Sequence, residues 1–254
     1  LLKKNKITIK KGSDSFIDSH SIVVQNGSEK QTIQADKFIT ASGSEPVQLP
    51  FAPFDGEWVL DSTDAMKLPS IPKSMVIVGG GVIGCEFASL YSRMGTAVTT
   101  IEMSGRILPG EDIDISNILR AELEKHGVMI WTGAALKEVD AARRTVSFEQ
   151  DRNVQNESPD CVLISVGRKP RVESLNLKKA GVQAERNSIR VNECMQTNIL
   201  HIYACGDVIG GVQLAHVAFH EGMVAAHHAS GKEAAANYRA VPRCVYTSPE
   251  IASV

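Results

Sequence analysis

Gly79-Gly80-Gly81-Val82-Ile83-Gly84 follows directly on the apolar run Met75-Val76-Ile77-Val78, and Glu102 stands eighteen positions after Gly84. These residue types in this order suit the capture of a diphosphate joined to a sugar. Gly79 permits a tight turn from strand to helix. Gly81, lacking a Cβ, lets a diphosphate approach the backbone, and Gly84 lets the helix pack closely on the sheet. The amides that open the helix, with Gly80, Val82 and Ile83 completing the set, offer unpaired N–H groups and the positive end of a helix dipole. Glu102 lies close to the ~20-residue spacing expected of a carboxylate that accepts from ribose hydroxyls. On its own the glycine pattern is no more than a glycine-rich turn. A strand before it, a helix after it and an acid closing the next strand make it a dinucleotide-binding fingerprint. A carboxylate at Glu102 repels a 2′-phosphate, and Met103, Ser104 and Gly105 supply no cation, so NAD is expected over NADP. Arg106 is the nearby cation that argues the other way.

The surrounding pattern is β-α-β-α. The helix after the glycines runs from Val82 to about Met94 and stops at Gly95. Ala97-Val98-Thr99-Thr100-Ile101 is the second strand. Asp114 to His126 is amphipathic, with Ile115, Ile118, Leu119 and Leu123 on one face and Gly127 ending it. Val128–Trp131 is a third strand, residues 135–150 a β-meander, and Cys161–Val166 another buried strand. Before this block, residues 6–40 read as short strands, beginning with the alternating Lys6-Ile7-Thr8-Ile9-Lys10 and including a hairpin signal at Asn26-Gly27. Residues 44–73 hold five prolines and form an extended connection, with Asp61-Ser62-Thr63-Asp64 placed to cap a short helix near Ala65. Beyond residue 189, Leu200–Cys205 is a strand ending in Gly206-Asp207, Leu214 to Gly231 is a helix, and Val241–Val254 starts a new element. The fold class is α/β, a doubly wound Rossmann-type domain with a partial second domain.

Composition narrows the partners. Hydrophobic residues make up 43% and charged residues 22%, with a net charge of −2, so there is no broad basic field for nucleic acid or anionic lipid. The basic run from Leu1 to Lys6 is a solvated entry to a strand. No apolar run reaches the ~18 residues a membrane helix needs, and the start lacks an apolar signal-peptide core; a cytoplasmic protein is expected. Five cysteines without a close pair argue against a disulfide framework and a zinc site. Cys85, Cys161 and Cys205 sit in apolar or glycine-rich surroundings that suit core packing. His227-His228 does not share a helix face, and His20, His126 and His201 show no partner pattern, so no metal site is expected. The chain opens without Met in a strand-like pattern and stops in one, and it reads as a piece of a longer protein.

Seven blocks, in order, resemble the flavoprotein disulfide reductases (the pyridine nucleotide-disulfide oxidoreductases). They are Ile39–Pro46, Val76–Glu86, Arg106–Pro109, Ser165–Pro170, Tyr203–Asp207, Gln213–His216 with Glu221-Gly222, and Tyr246–Ala252. The last resembles the start of the family's dimer-interface domain and favours the branch that oxidises dihydrolipoyl thiols. The resemblance implies FAD and NAD as cofactors. It implies a partial flavin domain over 1–70, a nicotinamide domain over 71–190, a flavin-domain return over 191–238, and the start of a dimerisation domain over 239–254. Ser42, Gly43 and Ser44 would lie near the flavin, and Asp207 would accept from its sugar-alcohol chain. Gln213, Leu214, Ala215 and His216 would open a helix toward the flavin ring. Gly167 would meet the nicotinamide cofactor, Leu136 would line its adenine pocket, and Glu86 would point to the nicotinamide–flavin junction as the catalytic candidate. For Glu86 the plainer alternative is a partly buried helix carboxylate paired locally.

The chain departs from the family pattern at Ser42, in place of threonine, and at Val217, Phe219 and His220, in place of charges. The family's redox cysteine pair, first flavin glycine motif and catalytic histidine have no counterpart here. The intact enzyme would pass electrons from a lipoyl-bearing protein to NAD and form a homodimer. This chain alone is expected to be inactive, to bind NAD, to hold FAD poorly and to be monomeric. Two other readings stay open: a related reductase of another disulfide, mercuric ion or peroxide, and a nicotinamide-binding module without turnover.

Overall fold

The computed structural model describes residues 2–254; Leu1, at the head of the basic run, lies outside them. Two compact units divide the chain. One comprises the chain up to Glu45 and Lys169–Val241, the other Pro46–Arg168 and Pro242–Val254. These boundaries differ from the ones expected near residues 70 and 190, for reasons of pairing and burial. Val59–Leu60 adds a parallel strand beside Cys161–Ile164, and Ala52 and Trp58 are buried in the same core, which commits the proline-rich connection to the second unit. Leu175, Leu177, Ala180, Val182 and Ile189 instead pack with Phe16 and Ile202 in the first unit. Val245 and Ile251, in the hairpin of strands Arg243–Val245 and Ile251–Ser253, join the second unit's core.

The second unit is built on a five-stranded parallel sheet in the order Val59–Leu60, Cys161–Ile164, Ser74–Val78, Ala97–Glu102, Met129–Thr132. Strand alternation sorts its side chains onto two faces. Met75, Ile77, Cys161 and Leu163 meet the helices Val82–Arg93 and Ile113–Lys125; Val76, Val78, Val162 and Ile164 meet an antiparallel meander through Val139, Val146 and Phe148. The meander comprises Ala135–Asp140, Thr145–Gln150 and Asn153–Glu157. Its third strand has no apolar alternation in Asn-Val-Gln-Asn-Glu and is not apparent from the sequence.

Four α-helices form among the described residues. Helix α1, Ser62–Ala65, starts from the expected cap: the Asp61 carboxylate accepts from the Thr63 and Asp64 amides, and the Asp64 side chain accepts from the Asp61 amide, a reciprocal capping box. Helix α2 is Val82–Arg93 and helix α3 is Ile113–Lys125. Helix α4, Ala215–Ala229, belongs to the first unit.

In the first unit, strands Ser13–Asp18, Ser21–Asn26 and Glu29–Gln34 form an antiparallel sheet. The expected hairpin turns at Gly27, whose φ is +60°. Phe38–Thr40 pairs in parallel with Ile202–Ala204, a strand shorter than the expected 200–205 because Leu200 and His201 lie in the preceding turn. The strand expected at Lys6–Lys10 does not form. Residues 7–11 are irregular, and Ile7 and Ile9 are exposed: the alternation is present, but among the described residues no strand pairs with it.

Candidate functional site

The glycine loop lies at the C-terminal end of the central strand of the second unit, where ligands of open α/β sheets bind. Gly79 has φ +107° and a Cβ there would lie 2.5 Å from the Ser165 carbonyl oxygen, so only glycine fits. A Cβ on Gly84 would come within 1.9 Å of the Gly79 carbonyl oxygen, which is the close helix–strand packing expected of the sixth motif position. At Gly81 a Cβ would meet nothing within 4 Å. Gly81 is the N-cap of α2 and no side chain caps this terminus. The first helical bond at this end runs from the Cys85 amide to the Gly81 carbonyl at 2.9 Å, leaving the amides of Gly81, Val82, Ile83 and Gly84 without an intrahelical acceptor. An open cradle over unpaired N–H groups at the positive end of a twelve-residue helix fits a diphosphate.

Glu102 closes the adjacent strand. It is only 8% exposed; one carboxylate oxygen accepts from the Gly80 amide at 2.6 Å and the other from the Ser104 amide at 2.6 Å. Each oxygen retains a second lone pair for a ribose hydroxyl. Arg106 turns onto its own loop, donating from Nη2 to the Pro109 carbonyl at 2.9 Å, while its buried Nη1 has no partner among the described residues. The loop carbonyl of Gly80 accepts from the Leu108 amide at 2.7 Å and from the Cys85 thiol at 3.3 Å. Burial pushes the Cys85 thiol up to about 12, so it stays protonated and keeps donating.

The remaining sites of this unit are less uniform. Glu86 is half-buried and its Oε1 accepts from the Tyr246 amide, 160 positions away, at 2.8 Å. Leu136 packs against the edge of the core that holds Val139, Val146 and Phe148, so part of its side chain is committed to structure. Gly167 has φ +123° with open space on its Cβ side, and its carbonyl accepts from the Val47 amide at 3.0 Å.

In the first unit, the Phe38–Thr40 and Ile202–Ala204 strands run in parallel and deliver two loops to one end. The Ser44 hydroxyl donates to the Asp207 carboxylate, bringing the Ser42–Ser44 and Cys205–Asp207 segments together. Ser42 Oγ donates to the Arg171 carbonyl at 2.7 Å, and Gly43, at φ +70°, accepts from the Arg171 amide at 2.9 Å. Helix α4 starts uncapped by any side chain after Leu214, with Ala215 and His216 exposed and Gln213 and Leu214 half-buried. Of the departures noted after His216, Val217 turns inward and Phe219 points to solvent.

Glu221, which its motif leaves without a role, gains one from burial. It is 2% exposed; Oε2 accepts from the Gly206 amide at 2.7 Å and Oε1 from the Tyr238 hydroxyl at 2.8 Å. It therefore fixes the turn that carries Asp207. His228 Nδ1 lies 3.0 Å from the Tyr203 hydroxyl. Among the described residues no group of three or more His, Cys, Asp or Glu converges as a metal site requires, and no helix is long and apolar enough to cross a membrane.

The parallel sheet, the glycine cradle and the closing acid define a Rossmann-type dinucleotide protein. The family model for the pyridine nucleotide-disulphide oxidoreductases matches residues 1–222, and the chain belongs to that family. It is 50% identical over its whole length to a dihydrolipoyl dehydrogenase of Bacillus subtilis, covering 56% of that protein. It is 40% identical to one from Chlamydia muridarum, covering 55% of it. Among solved structures, LpdA from Mycobacterium tuberculosis superposes with a TM-score of 0.91 at 30% identity, over 99% of this chain and 56% of that one. The HOCl-induced flavoprotein disulfide reductase RclA from Escherichia coli gives 0.86 at 29% identity, over 97% and 56% of the two chains. The chain spans about half the length of the curated relatives it matches.

Proposed function

We propose that the chain is the nicotinamide-binding part and a share of the flavin-binding part of an FAD-dependent, NAD-linked dihydrolipoamide dehydrogenase. The observation that carries this reading is the uncapped start of α2 over the open Gly81 cradle, with Glu102 closing the neighbouring strand. Gly79 to Gly84 hold the NAD diphosphate, Glu102 accepts from the adenosine ribose, and Gly167 and Leu136 border the cofactor. Ser42 to Ser44, Asp207 and the Gln213–His216 entry to α4 belong to the flavin site, with Asp207 oriented by Ser44. When bound, the flavin relays electron pairs between a thiol pair and the nicotinamide; the residues of this chain position the two cofactors. Glu86, one turn into α2, spends one oxygen on the Tyr246 amide and keeps the other for the catalytic role.

Identity of 50% with a dihydrolipoyl dehydrogenase, against 29% with RclA, supports lipoyl thiols as the electron source. The intact enzyme would then meet a lipoyl-bearing protein and work as a homodimer. A cytoplasmic location accords with five free cysteines.

The NAD preference rests on two features: the carboxylate of Glu102, and an Arg106 guanidinium already bound to Pro109. Titration of the chain with NADH and NADPH is expected to show NADH tighter by on the order of 10-fold, or ~1.4 kcal/mol. Equal affinities would refute the preference. Dihydrolipoamide-dependent reduction of NAD by the full-length protein tests the activity; turnover with other disulfides but none with dihydrolipoamide would move the chain to another branch of the family.

A further inference from the structure

We propose that Ser165 is a positioning residue for the dinucleotide diphosphate, acting by fixing the plane of the Gly79–Gly80 peptide; this rests on the nicotinamide reading of the glycine loop. A trans peptide unit is rigid, with its C=O and N–H pointing in opposite directions, so holding both ends fixes its orientation. Here both ends are held by side chains. The Ser165 hydroxyl shares its proton between the Val78 carbonyl at 3.0 Å and the Gly79 carbonyl at 3.1 Å. At the opposite end, the Gly80 amide donates to Glu102 at 2.6 Å. The two clamps come from opposite sides of the central strand. Ser165 follows Cys161–Ile164, Glu102 ends Ala97–Glu102, and these strands flank Ser74–Val78.

The position of Ser165 is itself determined. Its amide donates to the Val78 carbonyl at 2.8 Å, its carbonyl fills the space where a Gly79 side chain would stand, and its Oγ would lie 2.9 Å from a Cβ on Gly84. The hydroxyl therefore occupies the notch between strand end and helix start. Rotation of the Gly79–Gly80 plane would re-aim the Gly81 and Val82 amides that follow, and these are amides a diphosphate needs. A hydroxyl-free residue at 165 frees one end of that plane without emptying the core, because Ser165 is only half-buried.

The test compares Ser165→Ala, Glu102→Gln and the double variant by NADH titration and by hydrogen exchange of the Gly80 amide in the unliganded chain. Ser165→Ala is expected to weaken NADH about 3- to 10-fold, to speed exchange at Gly80, and to leave Tm close to that of the parent. Because both side chains act on one peptide plane, the double variant should lose less affinity than the product of the single losses. Parental NADH affinity and parental Gly80 exchange in Ser165→Ala would overturn the proposal. So would a fall in Tm that accounts for the whole loss of binding, or fully multiplicative effects. If the parent chain does not bind NADH, the nicotinamide reading fails, and Gly80 exchange still decides whether Ser165 holds the plane.

Discussion

Gly81→Ala is expected to abolish most NADH binding while leaving the fold intact, and Gly84→Ala to damage both. The contrast follows from what each added methyl meets. At Gly81 nothing lies within 4 Å of a Cβ, the backbone is already extended at φ −75°, and alanine, a poorer N-cap than glycine, costs the free helix only about 0.5 kcal/mol. The methyl therefore intrudes only where the diphosphate would press against the backbone, and affinity should fall by on the order of 100-fold, ~2.7 kcal/mol. At Gly84 the methyl would sit 1.9 Å from the Gly79 carbonyl oxygen, so α2 must move off the sheet. Overpacking of this kind costs about 1–3 kcal/mol, and the displaced helix also loses its aim at the ligand. Thermal melting with NADH titration separates the two: Gly81→Ala should lose no more than about 2 °C and Gly84→Ala several degrees. A Gly81→Ala protein that binds NADH normally would show that the diphosphate does not lie there.

The second large effect is expected at Glu221, in the other unit. Its buried carboxylate satisfies the Gly206 amide and the Tyr238 hydroxyl, and burial, together with that hydrogen bond, pushes the Tyr238 phenol up so that it remains a donor. Glu221→Ala leaves two donors without their acceptor at ~1–3 kcal/mol each, in addition to a small cavity. A loss of about 3 kcal/mol and a fall in Tm on the order of 10 °C are expected. Tyr238→Phe removes one donor and should cost about a third as much. If Glu221→Ala melts with the parent, the carboxylate is not holding the Gly206 turn.

The sequence shows these two sites unequally. The glycine fingerprint is legible because its logic is local: an apolar strand, a turn that only glycine can make, and a helix start, all within residues 75–94. Glu102 is legible as an acid at the right spacing, yet its bond to the Gly80 amide is not, because that depends on two strands lying side by side. Ser165 stands eighty-six positions beyond Gly79, and nothing in Ser165-Val166-Gly167 announces a clamp on the glycine loop. Glu221 is hidden for a different reason. An acid on an alanine-rich helix ordinarily faces water, and only packing shows that this one faces Gly206.

At the level of elements the same division holds. The parallel strands are apolar on both faces and stand out, whereas the polar Asn153–Glu157 strand is held by its neighbour's ladder. Lys6–Lys10 alternates convincingly but pairs with no strand among the described residues. Pattern supplies the potential for a strand, and a partner decides whether it forms.

Every role proposed for the second unit requires that the amides opening α2 hold the diphosphate of NAD. Titrating the isotopically labelled chain with NADH while following each backbone amide by NMR tests it most directly. Saturable shifts largest at Gly81 to Gly84, with Gly80 and Glu102 responding beside them, are the predicted result. NADH binding that leaves these amides unmoved, or no binding at all, would contradict it.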